Sequence, residues 1–284
     1  AQLTKGNYMI SLRSLLRRTH DLYHGGLKEN IFFLHVPKCA GTSISNAIRC
    51  RYLTLNCAND RNLISLSAEA SSNVIKQSNK TDYPYNTTDD FPILKLRENL
   101  LLYFLNQKNT KYISGHFPFS DIAYDEFHNK FEFITVLRDP VKRFLSSYFF
   151  NRYKKGDHRK IEEDITTHLQ SEFGQSQGYE YVKFLGGADI NADYSSKQAV
   201  ERAIHNLQKF DIVGCLEYLE HFLDQFEARF AIRLKIEKKN PGPKSETFKE
   251  AIITEEVQEK IKDICKPDSE VYQFAIDNFV KSNH

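Results

Sequence analysis

Neither sign of charge is in excess in this chain of 284 residues. Its 39 lysine and arginine residues face 37 aspartate and glutamate residues, so the formal net charge is only +2. A protein that binds nucleic acid without sequence preference draws its affinity from a large positive surplus facing the phosphates. The charge balance therefore argues against a nucleic-acid partner and predicts that any bound anion is held by a local group of residues.

Closely spaced cysteine pairs are also missing. The five cysteines are spread along the chain without a CxxC pair: Cys39, Cys50, Cys57, Cys215 and Cys265. Zinc ribbons and thioredoxin-like sites both need such pairs, and no cluster of His, Cys and Asp stands at ligand spacing. The sequence thus predicts no metal site, and the odd number of cysteines favours free thiols.

Long apolar runs are absent as well. No stretch approaches the roughly 20 consecutive apolar residues of a membrane span, and Ser11 to Arg18 lacks the apolar core of a signal peptide. Together with the free thiols, these absences predict a cytoplasmic protein with no membrane span. The chain starts at Ala1 and its single methionine is Met9, so an anchor upstream, and with it the Golgi lumen, stays open as the alternative.

What the chain does contain is an alternation of short apolar runs and helical patterns. The candidate strands are 31–36, 111–114, 131–137 and 211–214. The candidate helices are 43–52, 141–153, 161–169, 196–207, 217–230, 255–264 and 269–280. This order predicts an α/β fold in which helices flank a central parallel sheet. We expect a single domain over 1–284, with an N-terminal extension over 1–28 and a polar surface insertion over 58–92.

The segment HVPKCAGTS, residues 35–43, lies between the first predicted strand and the first predicted helix. At such a turn, backbone N–H groups point at phosphate oxygens, small residues permit close approach, and a lysine neutralises charge. Lys38 precedes Gly41, so the segment does not fit the pattern GxxxxGK[ST] of ATPases and kinases. The alternative is an ordinary turn in which Thr42 or Ser43 caps the helix and Lys38 is solvated.

A second segment, LRDPVKRFLSSY over 137–148, contains another candidate for binding phosphate. Arg138 stands where a strand gives way to a helix, and Ser146 follows about two helical turns later. A guanidinium beside a hydroxyl suits a terminal phosphate monoester. The alternative is a local salt bridge between Arg138 and Asp139, with Ser146 on the helix surface.

Together the two segments resemble the sulfotransferase superfamily, whose members use 3′-phosphoadenylyl sulfate (PAPS). The resemblance is greatest to the carbohydrate branch that includes the heparan 2-O-sulfotransferases. It covers about 31–153, with a weaker similarity at 210–222, and implies a P-loop-like three-layer fold. It also implies that the 5′-phosphosulfate contacts the loop residues Lys38, Cys39, Ala40, Gly41, Thr42 and Ser43. The 3′-phosphate would contact Arg138 and Ser146.

The segment YISGHFPF, residues 112–119, supplies the candidate base. His116 follows a predicted strand at the carboxyl edge of the sheet, where open α/β sheets place their sites. The segment is similar to the Gly-His segment that carries the base in carbohydrate sulfotransferases. We therefore expect His116 to be the base and Lys38 to stabilise the leaving phosphate. The alternatives are that His116 caps a strand end, or that His35 is the relevant histidine.

Two basic segments stay open between function and solvated surface. The resemblance to the superfamily, in which a late basic loop often closes over the cofactor, implies that the segment 238–244 contacts the 3′-phosphate or the adenine. The segment 154–160 would contact an anionic acceptor. In both, charge runs of this kind are usually solvated.

The predicted function is direct in-line transfer of a sulfuryl group from PAPS to an acceptor hydroxyl, with a sugar as the first candidate. One alternative is a bacterial enzyme that sulfates the oxygen or nitrogen of a small natural product. Others are a magnesium-dependent P-loop nucleotide-binding protein and a binder without turnover. The sequence does not indicate an oligomeric state.

Overall fold

The computed structural model describes residues 26–52, 60–79, 91–156, 159–189, 193–236 and 253–281. The N-terminal extension up to residue 25 and the basic segment 238–244 lie outside these ranges. The strands are β1 (Ile31–Leu34), β2 (Leu63–Ser65), β3 (Tyr112–Gly115), β4 (Glu132–Leu137) and β5 (Ile212–Cys215). They form one sheet in the order β2-β3-β1-β4-β5, and every neighbouring pair is parallel.

Helices occupy most of the remaining described residues. They are α1 (Gly41–Arg49), α2 (Ala68–Asn79), α3 (Phe91–Leu105), α4 (Asp121–Phe127), α5 (Pro140–Tyr153), α6 (Ile165–Gln170), α7 (Glu172–Ser176), α8 (Glu180–Gly186), α9 (Lys197–Leu207), α10 (Leu219–Phe230), α11 (Glu255–Ile264) and α12 (Lys266–Ala275). Short 3-10 turns cover Gln177–Tyr179 and Leu216–Tyr218, and a π turn covers Ile276–Val280.

The sheet is buried on both faces because side chains alternate along each strand. In β1, Phe32 and Leu34 face a core that includes residues of α3, α8, α9 and α12. Ile31 and Phe33 face the opposite core, which includes residues of α1 and α10. The predicted α/β fold with three layers and a central parallel sheet is confirmed.

Strand β2 was not predicted. It lies within 58–92, pairs only with β3 and contains three residues, of which Leu63 is buried. An edge strand this short gives no periodic apolar pattern. The expected surface insertion therefore supplies an edge of the sheet, and the helix α2 follows it. The single-domain organisation stays a prediction.

The predicted helix over 161–169 begins later than expected. Asp164 is its N-cap, and the Asp164 carboxylate accepts a hydrogen bond from the Thr167 N–H at 3.0 Å. The apolar residue Ile161 that extended the pattern is buried in the preceding coil.

Within the ranges described above, no helix combines the length and the apolar character that a membrane crossing demands. The cytoplasmic location stays a prediction.

Candidate active site

The segments that carry Lys38, His116 and Arg138 meet at the carboxyl edge of the sheet. Leu34, the last residue of β1, is in register with Gly115 at the end of β3 and with Thr135 in β4. The loop after β1 therefore lies between the segment that carries His116 and the segment that carries Arg138. Parallel strands direct their following loops to one edge, which is where α/β folds bind ligands.

The loop before α1 is shaped for an anion. Lys38 has φ 68° and Ala40 has φ 58°, both in the left-handed region that side chains other than glycine rarely adopt. Left-handed residues next to a right-handed turn aim successive N–H groups into one concavity. Ala40 is the N-cap of α1, and no side chain of the described residues caps the helix. The structure therefore contradicts the alternative in which Thr42 or Ser43 is the N-cap.

The rest of the loop explains why glycine stands at position 41. A Cβ on Gly41 would lie 1.8 Å from Cδ2 of His35, whose ring covers this position. Thr42 is exposed and Ser43 half-buried in the first turn of α1. The loop backbone and the His35 ring therefore pack without room for a side chain between them.

Lys38 is half-buried and packs on an aromatic ring. Its Nζ lies 3.7 Å from the centre of the Phe150 ring, a cation–π contact with α5. Burial, and then the nearby charges of Arg138 and Lys154, lower the pKa of Lys38 to about 8. The ammonium group is therefore held in a positive environment, where a bound phosphate would relieve the repulsion.

Arg138 reaches the loop from the end of β4. Its Nη1 donates to the carbonyl oxygen of Lys38 at 3.3 Å, and its Nε is buried without a hydrogen-bond partner among the described residues. Asp139 instead caps α5 by accepting from the Lys142 N–H at 2.8 Å. No salt bridge joins Arg138 to Asp139 in the described part of the chain. Ser146 lies on α5, half-buried.

The thiol of Cys39 points away from the loop surface. Its Sγ lies 3.5 Å from the Tyr181 hydroxyl, and burial raises the pKa of the thiol to about 11. Only the backbone of Cys39 is therefore suited to contact an anion in the loop.

The geometry holds the His116 side chain as a neutral imidazole. Its Nδ1 lies 2.5 Å from the carbonyl oxygen of His35, and the centres of the His35 and His116 rings are 4.5 Å apart. Because a carbonyl only accepts, Nδ1 carries the proton and Nε2 keeps its lone pair. Burial, and then the positive charge of Arg97, lower the pKa of His116 to about 4. His35 thus holds the ring of His116 from the adjacent strand end.

His116 and Lys38 line one cavity of about 210 Å³. Its wall also contains charged side chains that the sequence did not single out as site residues, namely Arg97, Glu180 and Lys183, and two from the basic segment 154–160, namely Lys154 and Arg159. Arg97 donates from Nη1 to the His116 carbonyl at 3.2 Å, and Lys183 pairs with Glu180 at 3.1 Å. Two residues of the basic segment 154–160, Lys154 and Arg159, therefore line the cavity.

Little in the sequence indicated that Arg97, Glu180 and Lys183 would line the cavity. Arg97 lies on α3, which was not predicted, and Glu180 and Lys183 lie on α8, outside both phosphate-binding segments. Within the described ranges, no three His, Cys, Asp or Glu side chains converge as metal ligands would.

Comparisons with known proteins show which family the chain belongs to. A family profile described as "Sulfotransferase family" matches residues 27–275. Similar proteins include heparan sulfate 2-O-sulfotransferase 1 of Gallus gallus (28% identical), of Homo sapiens (27%) and of Cricetulus griseus (26%). Each alignment covers 218 residues, 68% of this chain and 61% of the relative. The chain thus spans about 61% of the length of these relatives.

Proposed function

This chain belongs to the sulfotransferase family, and from that membership we propose that it transfers the sulfuryl group of PAPS to an acceptor hydroxyl. The observation that carries the proposal is the cavity shared by Lys38 and His116. The cavity places a positively charged loop that is suited to bind an anion beside a neutral histidine. Sulfuryl transfer requires both parts.

The residues present fit PAPS. The loop from Lys38 to Ala40 and the first turn of α1, which no side chain caps among the described residues, offer backbone N–H groups and an ammonium to the 5′-phosphosulfate. Arg138, whose buried Nε has no hydrogen-bond partner in the part of the chain that the structure describes, supplies a guanidinium for the 3′-phosphate, and Ser146 supplies a hydroxyl. When bound, PAPS provides the activated sulfuryl group.

His116 acts on the acceptor in this proposal. Its Nε2 lone pair takes the proton of the hydroxyl as the hydroxyl oxygen attacks sulfur in line, and the sulfur–oxygen bond to the phosphate breaks. The carbonyl of His35 accepts the Nδ1 hydrogen throughout and keeps the ring in this tautomer. Lys38 stabilises the charge that builds on the departing phosphate oxygen.

We propose a sugar hydroxyl as the acceptor. The support comes from the relatives, whose names describe sulfation of heparan sulfate at a 2-O position. The cavity is consistent with a polar acceptor, since charged side chains form much of its wall.

The first test is calorimetric titration with 3′-phosphoadenosine 5′-phosphate (PAP), the product left by PAPS, beside ATP with magnesium. We expect PAP to bind and ATP to bind at least about tenfold more weakly, a difference of roughly 1.4 kcal/mol. The Arg138→Ala variant should lose affinity for PAP but not for adenosine 5′-phosphate (AMP), which lacks the 3′-phosphate.

Arg229→Ala is the matched control. Arg229 pairs with Glu132 and Asp211 at the opposite edge of the sheet, where β4 and β5 begin. The control should bind PAP as the wild type does. Preference of the wild type for ATP with magnesium would favour a P-loop nucleotide-binding protein and contradict the proposal.

A further inference from the structure

The hydroxyl of Tyr181, on α8, touches both halves of the proposed PAPS site. It accepts a hydrogen bond from the Arg138 N–H at 2.9 Å and donates one to the carbonyl oxygen of the same residue. It also lies 3.5 Å from Sγ of Cys39 in the loop after β1. One fully buried oxygen therefore joins the Arg138 segment to the loop.

Among the described residues, no neighbouring strand forms a hydrogen bond with the backbone of Arg138. The pairing of β4 with β5 ends at Leu137, which is in register with Cys215. At Arg138 the Tyr181 hydroxyl replaces the neighbouring strand and satisfies both the N–H and the carbonyl. This contact fixes the point from which the Arg138 side chain extends.

Tyr181 is itself rigidly held. The buried carboxylate of Asp268 accepts from the Tyr181 N–H at 2.8 Å and from the Val182 N–H at 3.2 Å. The guanidinium of Arg143 lies 5.7 Å from the centre of the Tyr181 ring and forms an ion pair with Asp268 at 3.7 Å. A side chain fixed in this way can hold its hydrogen-bond partner in a defined position.

We propose that Tyr181 is a positioning residue that aligns the Arg138 guanidinium for the 3′-phosphate, an inference that rests on the proposed function. Tyr181 does not contact the cofactor. It acts through the backbone of Arg138, while the Arg138 Nη1 bond to the Lys38 carbonyl sets the other end of the side chain. The energetic effect should therefore appear only with ligands that carry a 3′-phosphate.

The test compares Tyr181→Phe with Tyr52→Phe by titration with PAP and with AMP. Tyr52 is a matched control, because its buried hydroxyl also bonds to backbone, to the carbonyls of Glu29 at 2.8 Å and Lys111 at 3.0 Å, but before β1 and β3 begin. We expect Tyr181→Phe to weaken PAP about tenfold and to leave AMP affinity unchanged. Tyr52→Phe should change neither affinity.

Two further measurements exclude a general loss of structure. In an Arg138→Ala background, Tyr181→Phe should cause no additional loss of PAP affinity, because the two residues act as one unit. In the wild type without ligand, hydrogen exchange at the Arg138 amide should be as slow as in the core strands. The second measurement needs no substitution, so it applies even if Tyr181→Phe fails to fold.

The outcomes separate the inference from the proposed function. If the wild type prefers PAP to AMP but Tyr181→Phe weakens both ligands equally, or neither, the positioning role is wrong and the function stands. Rapid exchange of the Arg138 amide would also overturn the role. A wild type that does not distinguish PAP from AMP would overturn both.

Discussion

At the scale of the residue, His116 combines a fixed tautomer with a pKa lowered to about 4 by burial. With this lowered pKa the imidazole is unprotonated throughout the neutral range, and its Nε2 keeps its lone pair. We expect His116→Ala to lower sulfate transfer at least about 100-fold, the usual contribution of a positioned base. The affinity for PAP should stay within about twofold, since the base acts on the acceptor.

The measurement uses PAPS as donor and an O-desulfated heparan oligosaccharide as acceptor, with titration of PAP alongside. His128→Ala is the control, because the His128 Nδ1 also bonds to a backbone carbonyl, that of Tyr124 at 2.8 Å, but on the exposed end of α4. A parallel loss of PAP affinity in His116→Ala would contradict its role as base. If the wild type sulfates a small phenol or amine and no oligosaccharide, the acceptor class is wrong.

At the scale of the element, β1, its loop and α1 form one unit in which His35 connects the loop to His116, the candidate base. In Gly41→Ala, the new Cβ would meet the His35 ring at 1.8 Å and force it to move. Displacing His35 disturbs both the loop and the carbonyl that holds His116. We expect a stability loss of about 1–3 kcal/mol and weaker PAP binding together with slower transfer.

Urea unfolding, PAP titration and the transfer assay measure these effects. Gly186→Ala on α8 is the control, because a Cβ there meets no atom within 4 Å. It should leave PAP binding and transfer unchanged. Normal transfer by a folded Gly41→Ala protein would show that the close contact with His35 is dispensable.

At the scale of the whole molecule, the ion pair between Arg143 and Asp268 ties α12 near the end of the chain to α5. Both side chains are almost completely buried, at 1% and 0% exposure, and their atoms are 3.7 Å apart. Removing one partner leaves an uncompensated buried charge, so Asp268→Ala should lower the free energy of unfolding by about 3–5 kcal/mol. Urea unfolding measures the change.

Glu201→Ala is the control for this prediction. Glu201 pairs with Lys197 at 3.5 Å on the surface of α9, where both side chains are exposed. Water and salt screen such a pair, so no measurable loss of stability is expected. Equal stability of the two variants would mean that the buried pair does not hold α12 in place.

The sequence by itself determined the elements of the fold that continuous stretches of residues predict. The apolar runs before the loop and before Arg138 became β1 and β4, because strands buried on both faces need continuous apolar residues. The two candidate phosphate-binding segments and His116 could be recognised in the sequence for a similar reason, because each directly follows a strand. Their proposed roles in binding and catalysis stay predictions.

Only the tertiary structure decided what surrounds those segments. Arg97 and Lys183 reach the cavity, and Tyr181 reaches Arg138, from helices distant in sequence, so no local spacing indicates them. The left-handed conformation of Lys38 and Ala40, and the contacts of the loop with His35 and Phe150, were likewise not indicated by the sequence. Contiguous patterns specify strands and the turns that follow them, whereas the environment of a site arises from contacts between distant segments that form only when the chain folds.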